Sequence, residues 1–487
     1  MPTTNVQREA LRVLRRSFET VGHEYDDLEL EVRGRLPVGL EGVLYRNGPG
    51  RMERGGQAYG HLFDGDGHVC RFAFEGGRVR YRNRFVRTAA FEEEEAAGRV
   101  LHRCLGTNRP GGPLANAFRF DFRNAANTHV IRHADRLFAL YEGGAPHELD
   151  PVSLATLGPW NPEGTFDNPF DRISRSLRPE LPFAAHPTLD PRTGELVGFG
   201  LLPGRPNRLL TYRIDAHGHC VERRHFELGG SSFVHDALLT ERWQVFLLPQ
   251  VDYGLAGILF GFTTAAGSMS MHTERPMKAL LVPRDGGDPV CFETLPGFVF
   301  HFAGGADHAD GTLHLNLVHH RTLPALGSVD ELIESGEGLG QLTRLDIDPV
   351  RGTTRTTLLS EHAHEMPRTG GDGRRIYSCG VPAGRNLPFY TAILATELAP
   401  DGGAVATRVR DFHPDLPGEP VPVVADGAEW LLLQVYRAEE HRSELLVLAA
   451  EDLSTVASMA LPHSLPPGFH GSWVGATERP PATISLH

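Results

Sequence analysis

The sequence predicts an all-β protein made by radial repetition of antiparallel strands, a closed β-propeller. Three observations carry that expectation. Turn signals rich in Asp, Gly and Pro recur over the whole length between short alternating runs. The helix pattern of a parallel sheet does not intervene between them. Single histidines in remote segments stand where an apolar strand meets a turn, a placement that a ring of blades would bring to one axis. A sandwich array is the competing architecture, and it explains the histidines less well.

In chain order, residues 5–22 place Leu11, Leu14, Phe18 and Val21 at helical spacing, with Arg8, Arg12, Arg15 and Arg16 largely on other faces. This predicts an amphipathic helix packed on the body of the protein. Its basic face offers a second role, contact with anionic lipid. From Glu41 the pattern turns to β. The turn signals are EGG at Glu75, DP at Asp150, DPRTG at Asp190, DAHG at Asp215, RDGG at Arg284, DPVRG at Asp348 and EDLS at Glu451, each read as a hairpin. Residues 99–127 lack periodicity. Residues 251–272 are apolar, but too short and too broken by glycine to span a bilayer. Leu255, Ile258, Leu259, Phe260 and Phe262 there are expected to be buried, to line a ligand entrance or to dip into lipid. The run Glu92–Glu95 reads as a solvated face, and Phe298, Phe300 and Phe302 as packing on the strand face opposite His301.

Composition narrows the function. The formal charge of −13 over 487 residues argues against a nucleic-acid partner, which would require a Lys/Arg surface. The five cysteines are scattered and lack C-x-x-C spacing, which fits a reducing compartment. With no apolar leader in the first 20 residues, a cytoplasmic protein is expected, one domain over residues 1–487.

The histidines carry the chemistry. His186 in AAHPTLD, His235 in FVHDALL, His301 in FVFHFAGG and His470 in GFHGSW are separated by 49, 66 and 169 residues, so only the whole fold can assemble them. Four neutral imidazoles would leave a divalent ion its full charge, and imidazole suits Fe, Cu, Zn and Ni alike. A tetrahedral zinc site would be closed, whereas octahedral iron would keep two open positions.

The segments YRNGPG (Tyr45–Gly50), HLFDGDG (His61–Gly67), VRTAAFEEEEAAGR (Val86–Arg99), ANTHVIRHADRLFALYEGGAPHELDP (Ala126–Pro151), AAHPTLDPRTGEL, VHDALLTERWQVF and GFHGSW occur in this order. In them the chain resembles the carotenoid cleavage oxygenases over essentially its whole length. The resemblance implies a seven-bladed propeller under a cap of loops and short helices, with Fe2+ on the axis held by His186, His235, His301 and His470. It also implies glutamates behind three of these histidines, at the positions of Glu142, Glu365 and Glu419, with Glu361 and Glu429 as the nearby alternatives. The third histidine site departs from the family pattern, with Gly304 and Gly305 where an Asn-Ala pair is common, and His308 is its alternative.

The implied activity is an Fe(II) dioxygenase that splits a conjugated C=C bond of a carotenoid or apocarotenoid with O2 into two carbonyl products. Membrane contact would serve for substrate uptake. A stilbene or phenylpropanoid alkene on the same iron is the second reading. Stilbene-cleaving relatives tend to carry a lysine before the glutamate matching Glu142, and here that residue is Tyr141. A non-catalytic propeller that binds a partner is the third.

Overall fold

The structure is a computed structural model, and it describes residues 5–120, 122–204, 206–322, 339–385, 387 and 389–476. All seven turn signals join paired antiparallel strands. Their aspartates act locally. The Asp150 carboxylate accepts from the backbone N–H groups of Val152 and Ser153, that of Asp215 from His217 and His219, and that of Asp348 from Val350 and Arg351. A short acceptor folded back on the next N–H groups reverses the chain without a ladder partner.

Among the described residues the strands sort into seven blades. Blade 1 runs from Gly471–Gly475 through Gly42–Arg51, Asp66–Glu75 and Arg78–Phe85 to Leu28–Leu30. Blade 2 is His129–His133, Arg136–Leu140, His147–Leu149 and Thr156–Pro159; blade 3 is Thr188–Leu189, Leu196–Leu202, Asn207–Ile214 and Cys220–Leu228. Leu238–Leu239, Trp243–Leu248, Pro276–Pro283 and Val290–Pro296 form blade 4.

Blades 5 and 6 share one 17-residue strand, Thr353–Thr369. Its first part closes the blade of Phe298–Asp307, Leu313–His320 and Gln341–Asp348. Its last part opens the blade of Arg375–Val381, Ala392–Leu398 and Ala404–Asp411. In blade 7, Leu416–Pro417 and Val421–Ala425 both pair with Ala428–Arg437, followed by Arg442–Ala449, Thr455–Ala460 and Val32–Gly34.

The ring is closed twice. Blade 1 sets the late strand Gly471–Gly475 beside Gly42–Arg51, and blade 7 sets the early strand Val32–Gly34 beside Thr455–Ala460. Closure ties the first and last blades together. The core lies between blades, as where Leu44, Phe72 and Tyr81 of blade 1 meet Leu432, Leu445 and Val447 of blade 7.

Two expectations are corrected in detail. The first helix spans Asn5–Ser17 and stops short of residue 22, because the Val21 N–H bonds to Gly50 O at 2.7 Å and joins blade 1. Its apolar side is used by the body: Leu11, Val13, Leu14 and Phe18 pack on Leu416, Tyr436 and Ala438. The acidic run lies in the helix Ala89–Ala97, but Glu94 is wholly buried. It pairs with Arg123 at 3.0 Å and accepts from the N–H groups of Leu101 and His102, so partners elsewhere in the chain override the solvated-face pattern.

Residues 251–272 form a short strand pair around the helix Leu255–Leu259. Leu255 and Ile258 line the mouth of a cavity, while Phe260 and Phe262 stay exposed. Among the described residues, no helix is long and apolar enough to cross a membrane.

Candidate metal centre

Each of the four histidines arrives at the axis from the start of an inner strand. His186 precedes Thr188–Leu189, His235 precedes Leu238–Leu239, His470 precedes Gly471–Gly475, and His301 lies within Phe298–Asp307. Their ring nitrogens converge: Nε2 of His186 is 3.1 Å from that of His235, His235 is 3.2 Å from His301, and His301 is 3.2 Å from His470. All four ligand atoms lie within 4.8 Å of one another. His308, the alternative to His301, is exposed at the far end of the same strand and bonds to His314.

What stands behind the rings fixes their tautomers. His301 Nδ1 donates to Glu365 at 2.5 Å and His470 Nδ1 to Glu419 at 2.8 Å, since an ionised carboxylate can only accept. With both rings neutral, their Nε2 atoms therefore face the axis with lone pairs, 3.2 Å apart. A cation is what satisfies such an array, and bonds of about 2.0–2.1 Å to imidazole reach from one central ion to its ligands. The donor set thus fits a divalent metal of the kind imidazole binds.

The electrostatics agree. Burial, with the neighbouring His470, His235 and His301, holds His186 well below the usual imidazole range, and burial pushes His470 down to about 3. Burial also opposes charge on His301, but the Glu365 carboxylate outweighs it and raises this one ring. Glu365 in turn is held well below the carboxylate range against its burial by His301 and His320.

The three glutamates are not equivalent. Glu365 also accepts from His320 Nε2 at 2.8 Å and from the Met366 N–H. Glu419 bridges His470, the Arg46 guanidinium at 2.7 Å and the Gly471 N–H at 3.0 Å. Glu142 is looser: its carboxylate lies 3.2 Å from His235 Nδ1, but the two atoms are out of line for a hydrogen bond. His186 has no glutamate; Asp236 stands 3.9 Å from its Nδ1, with burial lifting that carboxyl to about 6. Of the alternative glutamates, Glu361 is exposed and Glu429 accepts from Gly371 N and the Tyr377 hydroxyl.

The centre opens into a cavity of about 2330 Å³. Thr128 and the rings of Phe63, Phe300 and Phe469 line it beside His235, His301 and His470. Phe300 corrects the strand-alternation expectation, because its ring centroid is 4.9 Å from that of His235. The pairing of Phe298–Asp307 with Leu313–His320 slips between Val299 and Phe302 and again between Phe302 and Gly304. An extra residue at a bulge turns two successive side chains to one side, so Phe300 and His301 both face the site. Gly304, at φ +116°, supplies the backbone for the second slip. Arg46, His320, Asp236, Thr128 and Phe300 were missed by the sequence reading. For Arg46 the signal was at hand, inside the YRNGPG segment.

Comparison with known proteins gives one consistent result. A family model described as retinal pigment epithelial membrane protein matches residues 18–475. The chain is 33% identical over 482 residues to apocarotenoid-15,15'-oxygenase of Synechocystis sp., covering 94% of this chain and 95% of that one. It is 27% identical to isoeugenol monooxygenase of Pseudomonas nitroreducens, over 93% of this chain and 95% of the relative. The crystal structure of cobalt-substituted Synechocystis ACO superposes with a TM-score of 0.86 at 32% identity, covering 96% of this chain and 99% of that one.

Proposed function

The chain belongs to the retinal pigment epithelial membrane protein family of carotenoid oxygenases, and from that premise we propose that it is a non-haem Fe(II) dioxygenase cleaving a conjugated C=C bond of a carotenoid or apocarotenoid. The observation that carries this reading is the set of four converging imidazole nitrogens beside a large, mainly aromatic and aliphatic cavity. His186, His235, His301 and His470 hold the iron, and Glu142, Glu365 and Glu419 orient His235, His301 and His470. When bound, Fe(II) supplies the activation of O2 that side chains alone cannot. The overall change balances without a further reductant: one C=C bond and one O2 become two C=O groups, one oxygen atom in each.

The protein's part is placement and exclusion. Phe63, Phe300 and Phe469 form a dry wall against which a polyene lies beside the open face of the histidine set. Residues 1–487 act as one propeller unit under this reading. The five unpaired cysteines support a reducing, cytoplasmic setting.

A water-insoluble substrate must come from a bilayer or carrier. The cavity lining supports docking on a bilayer: Phe118 is 64% exposed, Ile173 73% and Leu255 56%. The second reading, an aryl alkene, rests on the isoeugenol-oxidising relative and on Tyr141 in the cavity wall. Anaerobic loading with Fe(II), followed by O2 and mass spectrometry of products from a panel of apocarotenals and stilbenes, tests both. Paired carbonyl products from apocarotenals, labelled from 18O2, are expected. No O2-dependent product from any polyene would overturn the reading.

A further inference from the structure

Substrate chemistry at the reacting bond leaves one group of the cavity wall without a task. Arg178 follows the helix Arg172–Leu177 and lines the cavity. Its Nη1 donates to Gly143 O at 2.7 Å. Gly143 follows Glu142, whose carboxylate stands 3.2 Å from His235 Nδ1, so the guanidinium is anchored to the residue next to the glutamate behind His235.

The other arginines in this wall are engaged or outside. Arg123 is held by Asp66 at 2.9 Å and by Glu94, Arg208 lies over the Phe170 ring with Glu227 at 3.5 Å, and Arg119 is exposed. Among the described residues, no carboxylate lies within ion-pairing distance of Arg178. Its electrostatic neighbour is the Tyr141 phenol, and burial shifts its pKa downward. The nearby acids do not answer it: Asp171 accepts from the N–H groups of Ile173 and Ser174, and Glu180 forms no ion pair with it.

Arg178 is half-buried, and a partly desolvated guanidinium with no counter-charge beside it keeps donors to offer: one hydrogen bond to a carbonyl leaves most of its five unused. Its planar fork matches a carboxylate bidentately. Tyr141 adds a neutral hydroxyl, since burial holds its pKa well above the phenol range. Tyr141 and Gly143 flank Glu142 in the chain, so this polar corner is tied by the backbone to the glutamate behind His235 and lines the same cavity.

We propose that Arg178, with Tyr141 beside it, is a subsite for the carboxylate end of an elongated apolar substrate, and that it makes the protein prefer polyenes ending in an acid. The proposal rests on the dioxygenase reading for the word substrate, but not for the binding. An end group fixed at Arg178 would also hold one double bond in register with the metal centre.

Binding is tested apart from turnover. Fluorescence of a conjugated tetraene fatty acid and of its methyl ester is titrated into the purified protein and into the Arg178→Met and Arg178→Lys variants. A charge-assisted hydrogen bond predicts that the wild type binds the acid about 10-fold or more tightly than the ester. Arg178→Met should bind both as the wild type binds the ester, and Arg178→Lys should keep part of the preference. Equal binding of acid and ester by the wild type, or an undiminished preference in Arg178→Met, would overturn the proposal. So would a phenol probe, isoeugenol, whose binding depends on Arg178 when that of the acid does not.

Arg178 also braces the Gly143 carbonyl, so Arg178→Met is read only against its ester affinity and melting temperature. If it fails to fold, the decision passes to Arg178→Lys and Arg178→Gln: a graded loss of acid preference supports the subsite, and an unchanged one refutes it. Failure of the dioxygenase reading shows instead as missing products in the mass-spectrometric assay.

Discussion

Glu419→Gln should be the most damaging of the three glutamate-to-glutamine substitutions, and Glu142→Gln the mildest. Glu419 is 1% exposed and answers three donors: His470 Nδ1 at 2.8 Å, Arg46 at 2.7 Å and Gly471 N at 3.0 Å. A carboxamide has one acceptor oxygen, so at least one donor loses its partner and the amide NH2 meets another donor head-on. Arg46 is 2% exposed and would be left as an uncompensated buried cation. Breaking a buried pair on one side costs about 3–5 kcal/mol.

Glu142 accepts no aligned hydrogen bond, and its side chain is 27% exposed, so its loss should change stability by less than about 0.5 kcal/mol. Its effect on iron retention should sit at the low end of the roughly 10- to 100-fold that such orienting partners contribute. The assay combines thermal melting with iron content after a chelator challenge. The double variant Arg46→Met, Glu419→Gln should regain stability without regaining iron, because an apolar replacement removes the orphaned charge but restores nothing behind His470. If Glu419→Gln melts like the wild type, or Glu142→Gln loses iron as readily as Glu419→Gln, the ranking from geometry is wrong.

Other outcomes follow from the same contacts. Phe300→Ala should raise KM roughly 10-fold through loss of aromatic contact, with iron retained; iron loss instead would mean that Phe300 supports the histidines and not the substrate. Stripping the iron should leave the far-UV spectrum intact, since seven blades and a doubly closed ring form the core without it, and unfolding on chelation would contradict this. His68 is buried and neutral, its pKa pushed down to about 3 chiefly by burial, against about 6.5 in the unfolded chain. The unfolded state binds the extra proton, so this contribution is full above pH 6.5 and is lost as pH falls toward 3. At pH 5 the loss is about 2 kcal/mol, and melting of His68→Gln should show a correspondingly smaller drop between pH 7 and pH 5. Liposome co-sedimentation should weaken in Phe118→Asp, Leu255→Asp, while equal sedimentation of a folded variant would remove the cavity mouth from membrane contact.

Local chemistry made much of this protein legible in its sequence. Turn aspartates act on N–H groups two to four residues away, so DPRTG or DPVRG announces a hairpin whatever surrounds it, and all seven signals proved to be hairpins. The spacing of His186, His235, His301 and His470 excluded a local motif, and the ordered segments around them pointed to one centre, where their side chains converge. The same segments place Glu365 and Glu419 within hydrogen-bond reach of His301 and His470, and Glu142 near His235 without an aligned bond, while Glu361 is exposed and Glu429 answers Gly371 and Tyr377.

What tertiary structure alone decided depends on non-local partners or on breaks in regular period. Strand alternation sends Phe300 away from His301, and only the bulge that lets three residues face two across the ladder brings both to the site. Four consecutive glutamates read as a solvated face until Arg123, distant in sequence, arrives to neutralise Glu94. Glu419 acquires Arg46 from 373 positions away, and Arg178 gains its place in the cavity wall through a carbonyl 35 residues earlier. A charge's burial is set by what the fold brings against it, and no window along the chain contains that information.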